Sequence, residues 1–198
     1  MSMKCVCVFC GSSSGEAPEY VQAAKHLGTL MAQQKQTLVF GGGKVGMMGQ
    51  LAKAALEAGG EVIGVIPRWL AEKQLALKSV SDLRIVDTMH ERKQLMAALA
   101  DGFIALPGGI GTLEEFFEVW TWAQLGLHQK PCGLLNVCGY YSPLLGFVDH
   151  MVEQRFIEAT HRQMVLVEDQ VERLLERMET YQAPKVDKAA WALRLEAV

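Results

Sequence analysis

Seven short apolar runs recur along the chain, at Cys5–Cys10, Thr37–Phe40, Val62–Ile66, Arg84–Val86, Gly102–Leu106, Cys132–Val137 and Met164–Val167. Runs of this kind, bounded by turn residues, suit strands covered on both faces, as in a parallel sheet. Between them, helices are predicted at Glu19–Gln34, Val45–Ala58, Met89–Ala100, Thr112–Leu127 and Tyr141–Phe156, with a polar one at Asp169–Tyr181. Strand alternating with helix predicts an α/β fold: a Rossmann-like, doubly wound parallel sheet in three α/β/α layers. No internal repeat or low-complexity linker interrupts the order, so residues 1–182 read as a single nucleotide-binding domain. Residues 183–198 open on Ala-Pro-Lys-Val-Asp-Lys and read as a tail leaving that domain. A loose end is the simpler reading of this tail; the alternative is packing on a partner subunit through Trp191 and Leu195.

Composition narrows the ligand. Half of the 198 residues are apolar, enough to bury a full core. The 19 basic and 22 acidic residues form no long run of either sign. That leaves no electrostatic footprint for a nucleic-acid polymer or a membrane surface, and a small molecule is the expected ligand. The N-terminus lacks the pattern of a signal peptide, so a cytoplasmic location is expected. The five cysteines, three of them at Cys5, Cys7 and Cys10, form no secreted disulfide framework. Cys7-Val8-Phe9-Cys10 spells C-x-x-C, but Cys7 falls mid-strand rather than at a helix start, which favours core thiols over a redox pair. The five histidines are scattered without ligand spacing, and no metal is expected.

In an open parallel sheet, ligands sit beyond the carboxyl ends of the strands. Three predicted strand ends are rich in Gly or Ser: Cys10–Gly15, Phe40–Lys44 and Pro107–Gly109. Gly41-Gly42-Gly43-Lys44-Val45-Gly46 matches G-x-G-x-x-G, yet the next strand ends in Pro67-Arg68 and lacks the acidic residue that would take a cofactor ribose. Tight turning and helix packing are its plainer role. The segment Pro107-Gly108-Gly109-Ile110-Gly111-Thr112-Leu113-Glu114-Glu115 carries more. Its glycines strip Cβ atoms from a turn into a helix, whose exposed N–H groups and dipole favour a phosphate at Gly109–Thr112. Thr112 can add its hydroxyl as a cap or a ligand contact.

Glu115 falls about one turn into that helix, which also holds Leu113, Phe116, Phe117, Val119, Trp120, Trp122, Leu125 and Leu127. So apolar a helix needs cover beyond one sheet, and a homodimer is expected to supply it. A carboxylate in such surroundings is costly unless paired or used. Glu114 and Glu118 are the comparison: helix-start acids favoured by the dipole, a role open to Glu115 too. Arg92, on the stripe of Met96 and Leu99, points along a buried face and can form a salt bridge, clamp a ligand or orient Glu115.

These residues closely resemble the LONELY GUY (LOG) family of cytokinin riboside 5′-monophosphate phosphoribohydrolases. Pro107 through Glu115 fit the pattern P-G-G-x-G-T-x-x-E, and Met89-His90-Glu91-Arg92-Lys93 fits M-H-x-R-K. The likeness extends over Cys7–Ser12, Phe40–Gly49 and Thr121–Gly126. It implies hydrolysis of the N-glycosidic bond of AMP or an N6-substituted AMP, without a cofactor, giving free base and ribose 5-phosphate. Arg92 and Glu115 would be the catalytic pair, with Lys93, Gly108, Gly109, Ile110, Gly111, Thr112, Leu113, Glu114 and Thr121 at the substrate. One departure is Gln74, where family members commonly carry a substrate-contacting Glu; Glu72 lies nearby. Members are also labelled lysine decarboxylases, a label that fits a chain without a recognisable pyridoxal phosphate lysine poorly. The alternative reading is a non-catalytic nucleotide-binding module using the same phosphate cradle.

Overall fold

The computed structural model describes residues 3–73 and 75–184. Chain order is β1 (Cys5–Phe9), α1 (Pro18–Gln33), β2 (Thr37–Phe40), α2 (Gly46–Glu57), β3 (Val62–Pro67), α3 (Arg68–Glu72), β4 (Asp82–Val86), α4 (Met89–Leu99), β5 (Gly102–Ala105) and α5 (Ile110–Gln124). Then follow β6 (Cys132–Leu135), a 3-10 turn at Val137–Gly139, α6 (Ser142–Glu153), α7 (Ala159–Gln163), β7 (Val165–Glu168) and α8 (Val171–Glu179). The strands form one parallel sheet in the order β4-β3-β2-β1-β5-β6-β7. From β1 the chain winds outward to β4, then returns to the other side of β1 and winds outward again. The doubly wound α/β fold expected from the sequence is therefore present, and its winding reverses between β1 and β5.

Side chains alternate across a strand, so each strand feeds two cores. Val6 and Val8 of β1 join Leu38 and Phe40 beneath α1, α2 and α8, with Leu27, Met31, Leu51 and Leu174. Cys7 and Phe9 join Val39, Val65 and Phe103 beneath α4, α5 and α6, with Met96, Phe116 and Val148. Burial on both faces explains the unbroken apolar runs of β1, β2, β5 and β6. At the sheet edge β4 exposes Asp82 and Ile85, and it begins two residues before the apolar run at Arg84.

Several predicted boundaries shift. Helix α5 starts at Ile110 rather than Thr112, and it stops at Gln124, short of Leu127. Gly126 takes a positive φ of 76° there, and the Leu127 N–H closes back on Trp122 at 2.9 Å, a left-handed helix stop. Strand β6 ends at Leu135, so Val137 belongs to the following turn. Helix α6 ends at Glu153 instead of Phe156. The short helices α3 and α7 were not anticipated, because about one turn leaves too few residues to display a period. Trp191 and Leu195 lie outside the described residues.

Candidate active site

The reversal between β1 and β5 opens a crevice at their carboxyl ends. There the Gly11 N–H donates to Pro107 O at 3.1 Å, tying the two strand exits together. A cleft of about 280 Å3 lies on this junction, walled by Ser12, Ser13, Tyr20, Gly108, Gly109 and Tyr140. Helix α5 starts at its edge with Gly109 as N-cap and no side-chain cap. Its first N–H groups, from Gly109 to Thr112, have no acceptor among the described residues. Donors aligned with a helix dipole favour an anion in this position. A larger hollow of about 710 Å3 lies at the opposite end of the sheet, between Lys4, Asp101, Lys130 and Tyr181. It lies away from the open start of α5, and size alone gives it no chemistry.

Of the two roles open to Thr112, the cap is corrected: Gly109 is the N-cap of α5 and no side chain caps the helix. The Thr112 side chain is almost wholly covered, and a Cβ added at Gly108 would come within 2.2 Å of its hydroxyl. Thr112 therefore packs under the turn, and Gly108 is glycine because the turn lies directly on it. Leu113 likewise packs into the core, and its N–H is taken by Gly109 O at 3.2 Å. Ile110 is the opposite case, 83% exposed at the rim.

Arg92 and Glu115 meet. Thr88 caps α4, accepting the Glu91 N–H on its hydroxyl at 3.1 Å, while Glu91 reaches back to the Thr88 N–H at 3.4 Å. One residue later Arg92 points inward. Its Nε donates to Val65 O of β3 at 3.1 Å, and its Nη1 donates to Glu115 Oε1. Side-chain exposure is 8% for Arg92 and 11% for Glu115, so the pair is withdrawn from bulk water. Burial raises the Glu115 pKa above the ordinary carboxylate value, and the Arg92 charge and hydrogen bond pull it back only in part. By the helical rise Glu115 stands about 9 Å beyond Gly109 along the axis. A carboxylate poised above its usual range, held by a cation and set one sugar's reach from an anion cradle can take a proton or stabilise a developing positive charge.

The neighbouring residues pair too. Lys93 donates to Glu114 and, at 3.1 Å, to Glu118. Burial pulls the Lys93 pKa down, but the two carboxylates outweigh it and leave the amine above its ordinary value. Glu114 and Glu118 are thus more than dipole-favoured charges at a helix start. Thr121 lies further along α5, exposed and away from the cleft lining. Gln74 lies outside the described residues.

Two contributors to the cleft escaped the sequence reading: Tyr20 and Tyr140 come from separate segments and meet Ser12 and Ser13 of the Cys10–Gly15 strand end only in the fold. Gly41, which follows β2, lies outside that lining. A Cβ there would lie 2.0 Å from Arg92 Nη2, so this position must be glycine for the guanidinium to lie where it does. The G-x-G-x-x-G run therefore follows β2 instead of a strand at the reversal, and serves Arg92 and helix packing. Cys7 sits in β1, and burial pushes its thiol and that of Cys10 upward, the reverse of an activated redox pair.

A family profile described as “Possible lysine decarboxylase” matches residues 48–178. Cytokinin riboside 5′-monophosphate phosphoribohydrolase LOG1 of Arabidopsis thaliana is 47% identical over 187 residues, covering 94% of this chain and 87% of that protein. The probable cytokinin riboside 5′-monophosphate phosphoribohydrolase LOGL9 of Oryza sativa subsp. japonica is 51% identical over 176 residues, 89% of this chain and 78% of that protein. Among solved structures, the molybdenum cofactor carrier protein of Chlamydomonas reinhardtii superposes with a TM-score of 0.70 at 22% identity, covering 90% of this chain and 98% of that one. The molybdenum cofactor binding protein of Rippkaea orientalis gives 0.67 at 23% identity, covering 91% and 98%. At such identity these two bear on the fold alone.

Proposed function

We infer the activity from one premise: the chain belongs to the cytokinin riboside 5′-monophosphate phosphoribohydrolase family. Its reaction, on this reading, is hydrolysis of the N-glycosidic bond of N6-substituted adenosine 5′-monophosphates, and of AMP, to free base and ribose 5-phosphate. The observation that carries the reading is the buried ion pair between Arg92 of α4 and Glu115 of α5, the helix whose open N-terminus lies at the cleft.

The 5′-phosphate is bound by N–H groups from Gly109 to Thr112, with Gly108 shaping the turn. The sugar then extends along α5 toward Glu115. As the bond from C1′ to the base nitrogen breaks, its electron pair leaves with the base and the sugar gains oxocarbenium character. Glu115 stabilises that charge and takes a proton from the water that adds to C1′; the departing base takes up a proton from solvent and Glu115 releases its own, so that the carboxylate is restored. Arg92 holds the carboxylate in place and favours its ionised form against the burial that opposes it. Lys93 and Glu114 form the polar flank of the same helix pair; of the other α5 positions, Ile110 stands exposed beside the N-cap, whereas Leu113 packs against the core and Thr121 lies away from the cleft lining. Because the phosphate binds away from the bond that breaks, nucleotides should react far better than nucleosides.

The rim suits an apolar N6 substituent. Val45, Trp69, Met89 and Ile110 are exposed, each at or next to the first residue of a helix that begins beyond a strand's carboxyl end. A decarboxylase reading has no such support. A Schiff-base lysine needs a lowered pKa, whereas Lys93 is held above its ordinary value by two carboxylates. A homodimer would account for the exposure of Leu127, Phe147 and Phe156, and light scattering tests it by mass. No described helix is long and apolar enough to cross a membrane.

The test is a panel of AMP, N6-prenylated AMP and the two matching nucleosides, with free base measured by chromatography. Base is expected from both nucleotides, faster from the prenylated one. Tight nucleotide binding without any release of base would replace the enzyme reading with a binding module.

A further inference from the structure

After β6 the chain turns sharply instead of extending. Asn136 accepts the Tyr141 N–H on its Oδ1 at 2.6 Å and donates to Ser142 Oγ at 3.2 Å. Cys138 (φ 50°) and Gly139 (φ 71°) both take the left-handed conformation, which folds the turn back toward the end of the neighbouring strand β5. Two consecutive tyrosines then reach the same stretch of chain. The Tyr141 hydroxyl donates to Leu106 O at 2.6 Å, and the Tyr140 hydroxyl donates to Gly108 O at 2.6 Å. Their surroundings differ. Tyr141 is buried in the core, while Tyr140 is exposed in the cleft wall, edge-on to Tyr20 with ring centroids 5.7 Å apart.

A core needs the Tyr141 bond, since a buried hydroxyl without a partner is costly. Tyr140 has no such need, because water could serve an exposed hydroxyl equally well. What its bond does is local. The peptide it grips joins Gly108 to Gly109, and a peptide flanked by two glycines meets little steric resistance to rotation. Because that peptide is planar and trans, fixing the Gly108 carbonyl also fixes the Gly109 N–H, the first of the open donors at the α5 start.

We propose that Tyr140 is a positioning residue for the 5′-phosphate: its hydroxyl locks the Gly108–Gly109 peptide in the orientation that presents the Gly109 N–H to the anion. The inference rests on the reading of the cleft as the phosphate end of a nucleotide site. It assigns to the turn after β6 a share in the preference for nucleotide over nucleoside.

The experiment compares wild type with Tyr140→Phe, which keeps the ring and removes only the hydroxyl. In the variant the KM for N6-prenylated AMP should rise about tenfold with kcat within about twofold, the size of one lost hydrogen bond to a charged ligand. Competitive inhibition by inorganic phosphate should weaken by the same factor, while turnover of the nucleoside and the melting temperature stay unchanged. Wild-type KM and phosphate inhibition in Tyr140→Phe would overturn the inference, as would an equal loss on nucleotide and nucleoside. If wild type itself does not prefer the nucleotide and ignores inorganic phosphate, the cleft is no phosphate site and the role of Tyr140 falls with that reading.

Discussion

Residues 92 and 93 of one helix meet residues 115 and 114 of another, giving two ion pairs side by side with opposite environments. Arg92 and Glu115 are both nearly sealed from water. Lys93 is equally covered, but its partner Glu114 is 51% exposed and Glu118 shares the load. The same charges therefore do different things. Beside open solvent, the carboxylates keep Lys93 protonated. Inside, burial outweighs the arginine and leaves Glu115 above the ordinary carboxylate range. Environment more than residue type separates a reactive carboxylate from a supporting one.

The largest test of that contrast is chemical. Glu115→Gln keeps shape and hydrogen-bonding capacity but removes the charge, and kcat for release of base should fall about 10^3-fold. Glu114→Gln, one position earlier, should stay within about tenfold of wild type. Equal losses in the two variants would mean that burial does not single out Glu115.

Next comes stability. Arg92→Ala leaves Glu115 buried without its cation, and breaking a buried pair costs about 3–5 kcal/mol. Urea unfolding should show that loss as a lower midpoint with an unchanged slope. Lys93→Met should cost about 1 kcal/mol or less, because its exposed partners regain water. A Lys93 variant as unstable as the Arg92 variant would erase the distinction.

Much of this contrast was legible beforehand, and the reasons differ from part to part. The strands could be read because both their faces are buried, which writes an unbroken apolar run. The strand read shortest, β4, lost two residues at its start and is an edge strand, where Asp82 faces solvent. Arg92 was traced to a buried face because Met96 shares its helical stripe, and Thr88-Met89-His90-Glu91 carries a capping box that would have fixed the helix start. Its meeting with Glu115 depends on strand order, which no local pattern encodes. The same holds for Tyr140 and Ser12, brought to one cleft by β6 and β1 lying on either side of β5. Gly41 looked like part of a nucleotide loop, and its true constraint, the Arg92 guanidinium, comes from a helix far along the chain.

The smallest expected effect is also the most diagnostic, because its sign is set by position. If ionised Glu115 is the working form, kcat/KM should fall on the acid side with a limb above 4.5, the ordinary value from which burial raises this carboxyl. Lys93 and Glu114 act on that limb through space in opposite directions: the Lys93 charge lowers the Glu115 pKa and the Glu114 charge raises it. Lys93→Met should therefore move the limb to higher pH and Glu114→Gln to lower pH. Each substitution also disturbs the other residue of the outer pair, but a general loosening of the site would displace both limbs in one direction. Opposite displacements of the kcat/KM profile would identify Glu115 as the titrating group. Limbs that stay fixed, or that move together, would assign the acid side of the profile to another residue.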